Sequence, residues 1–223
     1  MIKHITMKLI NELEPLIKNK IIIKKNKVIL EQDELYNNTY ILLEGKVKVS
    51  HLLNDSELIL TIYSGKNLLL KPFSSNKTFV NLFRTETIED SILGLIPIKE
   101  IEKNKLLKDL ILTYYDLFFQ RTYLQMRDLL CNNKEKGLCS VLIRLANSYG
   151  KSMTNGIKIN LKVSNYDLAR LTGTTNETIS RLLSKLKSKN IIENHSGIIT
   201  IKNINYMKSL LNCNDCNNDL CIF

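Results

Sequence analysis

The cysteines of this chain are concentrated in a short polar stretch near its carboxyl end. Three of the five, Cys213, Cys216 and Cys221, lie there at the spacing C-x2-C-x4-C. A buried thiol behaves as a small apolar group, but this stretch offers few apolar neighbours, and exposed thiols oxidise readily. Closely spaced thiolates are ligands for zinc and for iron–sulfur clusters. The spacing therefore predicts three ligands of a metal site whose fourth ligand lies elsewhere in the chain.

The overall charge favours a polyanionic partner. Lysine and arginine outnumber aspartate and glutamate by 32 to 22, a formal net charge of +10, although many of the lysines also fit a Lys-, Asn- and Ile-rich composition. Residues 1–20 are charged throughout and lack the apolar core of a signal peptide. No stretch reaches the roughly 18 apolar residues of a membrane span. We expect a cytoplasmic protein with no membrane partner, where a cysteine cluster favours metal over disulfide.

The first of the elements that must position such a site are a short helix and a strand-rich region. An amphipathic helix is predicted over residues 5–17, with Pro15 near its end. From Ile21 to Ile101 the sequence is typical of short strands separated by turns, including a period-two alternation at residues 46–49. Short strands at this spacing indicate an antiparallel barrel or roll. We assign residues 1–104 to this sensor or effector domain.

A long helix follows, predicted over residues 106–131 within a segment 105–133. It contains no glycine or proline, and its apolar residues recur in alternating steps of three and four, which is a heptad seam. The seam consists of Leu112, Tyr115, Phe119, Thr122, Met126 and Leu129. Such a face packs either on the helix's own roll or on a second copy of the chain. The helix is apolar enough for both, one face to each, and we predict a homodimer.

The segment 134–211 carries the pattern of a winged helix-turn-helix. After a helix over residues 137–149 with Gly150 as its cap, Ser164 to Asp167 form a capping box that opens the next helix. Gly173 supplies the turn, and Ile179 with Leu182 anchor the second helix. Residues 191–201 then read as a two-stranded hairpin, the wing. This unit predicts double-stranded DNA as the partner.

The second helix of this unit presents the residues predicted to read DNA. Glu177, Ser180 and Arg181 lie on one face, opposite the buried anchors. Arginine pairs with guanine, glutamate accepts from cytosine, and serine contacts a base edge or a thymine methyl. Thr175 and Thr178 are assigned to phosphate contacts that set the register. One alternative is that Glu177 belongs to the N-terminal cap of this helix, with Thr174 as the N-cap residue. The other is that Arg181 lies on a solvated face and contacts no base.

The order of roll, long helix and winged helix-turn-helix resembles the CRP/FNR family of bacterial transcription regulators. The resemblance covers nearly the whole chain and implies an α+β fold with a roll like cyclic-nucleotide-binding domains. Residues 177–181 are similar to the E-x-x-S-R signature of the FNR branch, whereas Asn176 stands where cyclic-AMP-responsive members carry arginine. The family's nucleotide-gripping pairs are poorly matched at residues 70–71 and 77–78. Cyclic nucleotide is therefore not expected, and a weak anion site at Lys77 stays open.

The cysteine positions are similar to those of the Gram-positive, Bacillus-type FNR branch. There, three carboxy-terminal cysteines and one aspartate of the dimer helix hold a [4Fe–4S] cluster. The resemblance implies that Cys213, Cys216, Cys221 and Asp128 are the ligands here. Thiolates suit iron–sulfur chemistry, and a carboxylate is a weaker partner, so we expect the Asp128 corner to be the labile one. Residues 212–223 form the cysteine tail.

The resemblance implies an oxygen-responsive regulator of anaerobic genes that binds a palindromic operator and contacts RNA polymerase. Two alternatives stay open from the residues alone. One is a ligand-gated regulator whose tail binds structural zinc, with His195, Cys131 or Asp128 as fourth ligand, or binds no metal. The other is an iron–sulfur electron carrier. We expect no enzymatic activity, because no nucleophile–base pair or phosphate loop is evident. Cys131 and Cys139 read as ordinary half-buried thiols.

Overall fold

A computed structural model describes residues 2–35, 38–54, 56–69, 81–213 and 220–223 of the chain. These residues form two compact units, 1–118 and 119–223. The first is rich in antiparallel strands and the second combines helices with a small sheet. The predicted α+β class is confirmed.

The first unit begins with helix α1, Ile2–Leu13, followed by a 3-10 turn at Glu14–Leu16. The helix was predicted over residues 5–17, so it starts and ends earlier. Pro15 explains the end, because its ring excludes the α-helical hydrogen bond and clashes with the preceding turn. The buried face of α1 is fully inaccessible to solvent and consists of Leu9, Ile10 and Leu13.

Eight strands in the described part of the first unit form two antiparallel four-stranded sheets, which confirms the predicted roll. In chain order they are β1 Asn19–Ile23, β2 Val28–Leu30, β3 Asn38–Glu44, β4 Lys46–Leu53, β5 Ser56–Ser64, β6 Asn67–Leu69, β7 Arg84–Thr87 and β8 Ser91–Pro97. One sheet has the order β1-β8-β3-β6 and the other β2-β7-β4-β5. Alternating side chains of both sheets and of α1 fill a common core, for example Ile41, Val47 and Leu93.

Helix α2, Ile98–Glu102, leads into the long helix α3, Lys105–Cys131, which matches its predicted range. In the first unit, Leu107, Ile111 and Tyr114 of α3 pack into the roll core, and the Tyr114 hydroxyl donates to the Leu68 carbonyl at 3.3 Å. One face of α3 thus serves the chain's own roll, as the sequence allowed.

The predicted seam lies on another face of α3. Leu112, Phe119 and Met126 are 60%, 68% and 50% exposed, which is unusual for apolar side chains of this size. Thr122 and Leu129 are half-buried, and Tyr115 also packs partly against the roll core. The seam is therefore available to a partner at its larger apolar residues, whereas Tyr115 serves the roll as well.

The second unit contains α4, Lys134–Tyr149, which starts three residues before the predicted position. The reason is Asn133, which is the N-cap of the helix, its side chain accepting from the Lys136 N–H. Gly150 ends the helix as predicted, but in an extended rather than a left-handed conformation. A Cβ atom at Gly150 would lie 2.2 Å from the Ala146 carbonyl oxygen, so close backbone packing requires glycine there.

The rest of the second unit is the helix-turn-helix and its sheet. In chain order the elements are β9 Gly150–Met153, β10 Gly156–Ile159, α5 Asn165–Thr172, α6 Asn176–Ser188, β11 Ile192–His195, β12 Ile198–Ile201 and α7 Ile204–Leu210. The predicted wing is confirmed as the β11–β12 hairpin. It belongs to a sheet of order β11-β12-β10-β9. Sequence reasoning missed β9, β10 and α7.

Candidate metal centre and nucleic-acid interface

The turn between α5 and α6 is built by local sequence signals. The Ser164 side chain accepts from the Asp167 N–H while the Asp167 carboxylate accepts from the Ser164 N–H, a complete capping box. Gly173 follows α5 in the left-handed conformation, with φ of +58°. Leu168 and Ile179 are both fully buried between the two helices' packed faces. The predicted helix-turn-helix is confirmed in each of these features.

Helix α6 presents a polar face to solvent. Glu177, Ser180 and Arg181 are exposed, as their predicted role requires. Thr175, not Thr174, is the N-cap: its hydroxyl oxygen accepts from the Thr178 N–H at 3.3 Å and lies 3.1 Å from the Thr178 hydroxyl. Thr175 is exposed and Thr178 is half-buried. Both threonines therefore shape the helix start, a role that sequence reasoning gave to Thr174.

Glu177 lies in the first turn of α6 and remains a carboxylate. Hydrogen bonds from its own backbone N–H and from the Thr175 hydroxyl hold the pKa of Glu177 below its usual value. A negative charge near a helix N-terminus is also favoured by the helix dipole. The side chain thus takes part in the cap while staying exposed as an acceptor. A carboxylate in that state is the form that accepts from a cytosine amino group.

An ion pair links α6 to α4. The Lys185 ammonium lies 2.6 Å from the Glu135 carboxylate. The hydrogen bond and charge of Glu135 raise the pKa of Lys185. The structure thus gives Lys185 an intramolecular partner that the sequence did not indicate.

Asp128, near the end of α3, is surrounded by donors. Its Oδ1 accepts from Arg127 Nη2 at 2.7 Å, and its Oδ2 accepts from Ser140 Oγ at 2.7 Å and from Arg144 Nη2 at 2.9 Å. Partial burial disfavours its charge, but the hydrogen bonds from these three residues and the charge of Arg144 outweigh burial, so the pKa of Asp128 is lowered. Asp128 is therefore held by side chains of the protein itself rather than by solvent.

A cavity of about 290 Å³ opens beside this carboxylate. Its described lining consists of Leu124, Arg127, Asp128, Ser140, Ile143, Arg144, Leu211, Cys213, Leu220 and Cys221. Three of the four predicted metal ligands thus line one cavity although they are far apart in sequence. Cys131 and His195, which were alternative fourth ligands for zinc, are not part of that lining. Cys216 lies outside the described residues.

The donor geometry around this cavity is not closed among the residues that the structure describes. No three histidine, cysteine, aspartate or glutamate side chains of those residues converge at metal-binding distance. Cys213 and Cys221 are half-buried. Two thiol side chains and a carboxylate therefore border one space, and both metal ions and iron–sulfur clusters use such donors.

Sequence reasoning missed Ser140 and Arg144, which hold the Asp128 carboxylate. Arg144 is only 2% exposed, and its Nε has no hydrogen-bond partner among the described residues. A buried arginine on an otherwise apolar helix face was the available signal, because charged side chains are seldom buried without a specific partner. The same helix carries Cys139, where burial, with a smaller contribution from Glu135, raises the pKa of the thiol to about 12. Cys131 is exposed, so neither thiol is half-buried as expected.

Two expectations for the first unit fall on residues 70–71 and 77–78, including the anion site at Lys77. These positions lie outside the described residues. In the part of the chain that is described, no helix has the length and apolar character required to cross a bilayer.

Comparison with known proteins agrees with this architecture. The model of the Crp-like helix-turn-helix domain matches residues 138–210. The chain is 30% identical to the anaerobic regulatory protein of Bacillus subtilis over 82% of this chain and 79% of that one. It is 27% identical to the listeriolysin regulatory protein of Listeria monocytogenes, over 82% of this chain and 81% of the relative.

Solved structures agree on the fold. FixK2 from Bradyrhizobium japonicum superposes with a TM-score of 0.74 at 18% identity, covering 86% of this chain and 96% of that one. The molecule is thus a DNA-binding regulator of the helix-turn-helix class. The chain belongs to the CRP/FNR family of transcription regulators. Regulators of this family bind DNA and are dimeric, in keeping with the exposed face of α6 and the exposed seam of α3.

Proposed function

We propose that this regulator responds to oxygen and controls anaerobic genes through a [4Fe–4S] cluster held by Cys213, Cys216, Cys221 and Asp128. The Bacillus subtilis relative, named for anaerobic regulation, supports the physiological part of this proposal. The cysteine spacing and the position of Asp128 support the ligand set.

The observation that carries the proposal is that Asp128, Cys213 and Cys221 line the same cavity. Cysteine thiolates are the usual protein ligands of iron–sulfur clusters. The lowered pKa of Asp128 keeps its carboxylate ionised, which is the form that binds a metal. Because Asp128 already accepts from Arg127, Ser140 and Arg144, an iron bond has to displace a donor. Arg127 is the easiest to displace, since its side chain is 46% exposed.

A bound [4Fe–4S] cluster supplies iron that is sensitive to oxygen and nitric oxide, with its weakest protein ligand at the carboxylate. Asp128 belongs to α3, the helix that carries the dimer seam, whereas the cysteines belong to the tail. Ligation by Asp128 therefore ties the tail to the dimer helix. In its absence, Asp128 retains its three hydrogen-bonding partners within the chain.

This connection between the tail and α3 sets the distance between the two α6 helices of the dimer. A palindromic operator is read when these helices enter successive major grooves, roughly 34 Å apart. Arg181 and Glu177 are the base-reading residues, and Ser180 supplies a further contact to a base edge or a thymine methyl. Thr175 and Thr178 hold phosphates as well as the helix start. RNA polymerase is the further partner that a promoter-bound regulator of this kind engages.

Anaerobic purification tests the proposal. We expect a brown protein with about four irons and four sulfides per chain and a broad charge-transfer band. Exposure to air should abolish binding to a palindromic operator while leaving nonspecific binding at low salt. Cys213→Ser and Asp128→Ala should lower iron content, whereas Cys139→Ser should leave it unchanged because that thiol lies outside the cavity lining. One zinc per chain would support the structural-zinc alternative instead. A colourless protein that binds DNA equally well in air would overturn the oxygen-sensing role.

A further inference from the structure

Helix α4 holds the backbone of the last residues of the tail. Arg144 Nη1 donates to the Leu220 carbonyl at 3.2 Å, and Asn147 Nδ2 donates to the Cys221 carbonyl at 2.7 Å. The Ser148 hydroxyl oxygen accepts from the N–H of Phe223 at 2.9 Å. Three successive contacts therefore connect one helix to one four-residue segment.

The three donors and acceptors share one face of α4. Arg144, Asn147 and Ser148 occupy positions i, i+3 and i+4, which are neighbours on a helix surface. Each contacts the main chain of the tail, so the interaction depends on the path of the segment rather than on its side chains. We name these three residues the tail seat.

An apolar contact accompanies the tail seat. The Phe223 side chain is only 7% exposed, and its chain neighbours Leu220 and Ile222 are apolar as well. Burying an aromatic ring of this size stabilises the docked segment by more than a single hydrogen bond does. The segment is thus fixed at Leu220, Cys221 and Phe223, with Cys221 between the two ends.

The tail seat is also connected to the Asp128 carboxylate. Arg144 donates from Nη1 to the tail and from Nη2 to Asp128 Oδ2. One buried guanidinium therefore spans the dimer-helix carboxylate and the segment that contains Cys221. All of these contacts join one protein group to another.

We infer that Arg144, Asn147 and Ser148 are positioning residues that dock the segment 220–223 on α4 and hold Cys221 beside Asp128 before metal binds. The consequence for metal assembly rests on the proposed function. Preorganisation lowers the ordering cost that a ligand otherwise bears. When iron is lost, the segment 220–223 stays on α4, although the iron bonds to the cysteines and to Asp128 are broken. The docked segment then keeps Cys221 in position to bind a new cluster.

The docking is tested in reduced, metal-free dimer kept under nitrogen. The readout is the alkylation rate of Cys221 by iodoacetamide, followed by mass spectrometry, and compared with the same chain in denaturant. We expect Cys221 to react far more slowly in the native protein. Asn147→Ala and Ser148→Ala should each accelerate its alkylation by roughly fivefold, as expected for loss of one hydrogen bond. Phe223→Ala should accelerate it at least as much.

Two further variants separate positioning from general destabilisation. Ser148→Thr keeps the hydroxyl and should retain slow alkylation. Ser152→Ala makes the same chemical change at an exposed position of β9 and should leave the rate unchanged. Native Cys221 reacting at the denatured rate, or equal rates in Asn147→Ala, Ser148→Ala and the parent protein, would overturn the inference.

Anaerobic reconstitution at limiting iron and sulfide gives the second readout. We expect Ser148→Ala to bind several-fold less iron than Ser148→Thr under these conditions. Slow, seat-dependent alkylation in a protein that never binds a cluster would uphold the docking and remove the oxygen-sensing proposal. A fully loaded cluster with alkylation indifferent to the tail seat would do the reverse.

Discussion

The guanidinium of Arg144 lies 2.9 Å from the carboxylate of Asp128, and the arginine is only 2% exposed. Removing one partner of a buried ion pair leaves the other charge in a medium of low polarity, which costs about 3 to 5 kcal/mol. The pair therefore contributes to the stability of the fold as well as being part of the candidate metal site. The same contact joins α3 to α4 within the second unit.

Stability should depend on the charge of Asp128. Its pKa is lower in the folded than in the unfolded chain, where aspartate titrates near 3.9. The carboxylate therefore stabilises the fold fully above about pH 5, and this contribution is lost as pH falls through its folded pKa. Asp128→Asn should lower the urea midpoint at pH 7 and flatten the decline in acid. Asp109→Asn, at an exposed position of α3, is the control and should change neither.

Base reading by α6 predicts a loss of operator specificity without a loss of fold. Arg181→Ala should weaken operator binding by about 1 to 3 kcal/mol and reduce discrimination at one base pair. Fluorescence anisotropy with matched and single-substituted operators measures both effects. Lys20→Ala removes the same charge from an exposed site on β1 and should preserve discrimination. If Arg181→Ala discriminated as the parent does, the assignment of Arg181 to base contact would be wrong.

The left-handed turn at Gly173 predicts that a substitution there lowers stability through backbone conformation alone. Its φ is +58°, and an added Cβ would meet no atom within 4 Å. Gly173→Ala should therefore destabilise the second unit by about 1 to 2 kcal/mol through backbone strain alone. Gly173→Asn should cost less, because asparagine tolerates the left-handed region better. Thermal unfolding at one fixed protein concentration ranks the three proteins, and equal midpoints for alanine and glycine would contradict this account.

The exposed seam of α3 predicts a dimer that one charge disrupts. Phe119 is 68% exposed in the single chain. Phe119→Glu should weaken dimerisation by at least tenfold, since a two-fold interface contains the change twice and brings like charges together. Sedimentation velocity across a dilution series gives the dissociation constant. Thr113→Glu lies at an exposed position one residue away from the seam and should leave the constant unchanged.

Local signals explain why the reading unit was predictable from the sequence. The capping box at Ser164, the glycine at position 173 and the apolar anchors at Ile179 and Leu182 act within a few residues of one another. The same holds for α3, whose limits follow from an unbroken apolar repeat. Such features depend little on the rest of the fold.

Features that depend on distant contacts were missed. The pairing of β10 with β12 joins short strands on either side of the helix-turn-helix. β9 has no apolar alternation, whereas the alternation of Ile157 and Ile159 in β10 was present in the sequence and overlooked. The cap of α6 was misplaced by one residue, since Thr174 and Thr175 are equivalent by type. Docking of the tail on α4 requires that Arg144 meets Leu220 and that Ser148 meets Phe223, which no local pattern indicates. Asp128 could be predicted as a metal ligand only through family resemblance, and that assignment stays a prediction.

Helix α4 makes specific contacts at two separate positions. Glu135 pairs with Lys185 of α6, and Arg144 donates to Asp128 and to the Leu220 carbonyl. Each residue of an α-helix turns the chain by about 100°. Inserting or deleting a single residue between Glu135 and Arg144 would therefore rotate one side chain by about 100° relative to the other, so the two sets of contacts could not both form. Burial restricts which amino acids this stretch can contain, and the two sets of contacts separately restrict its length.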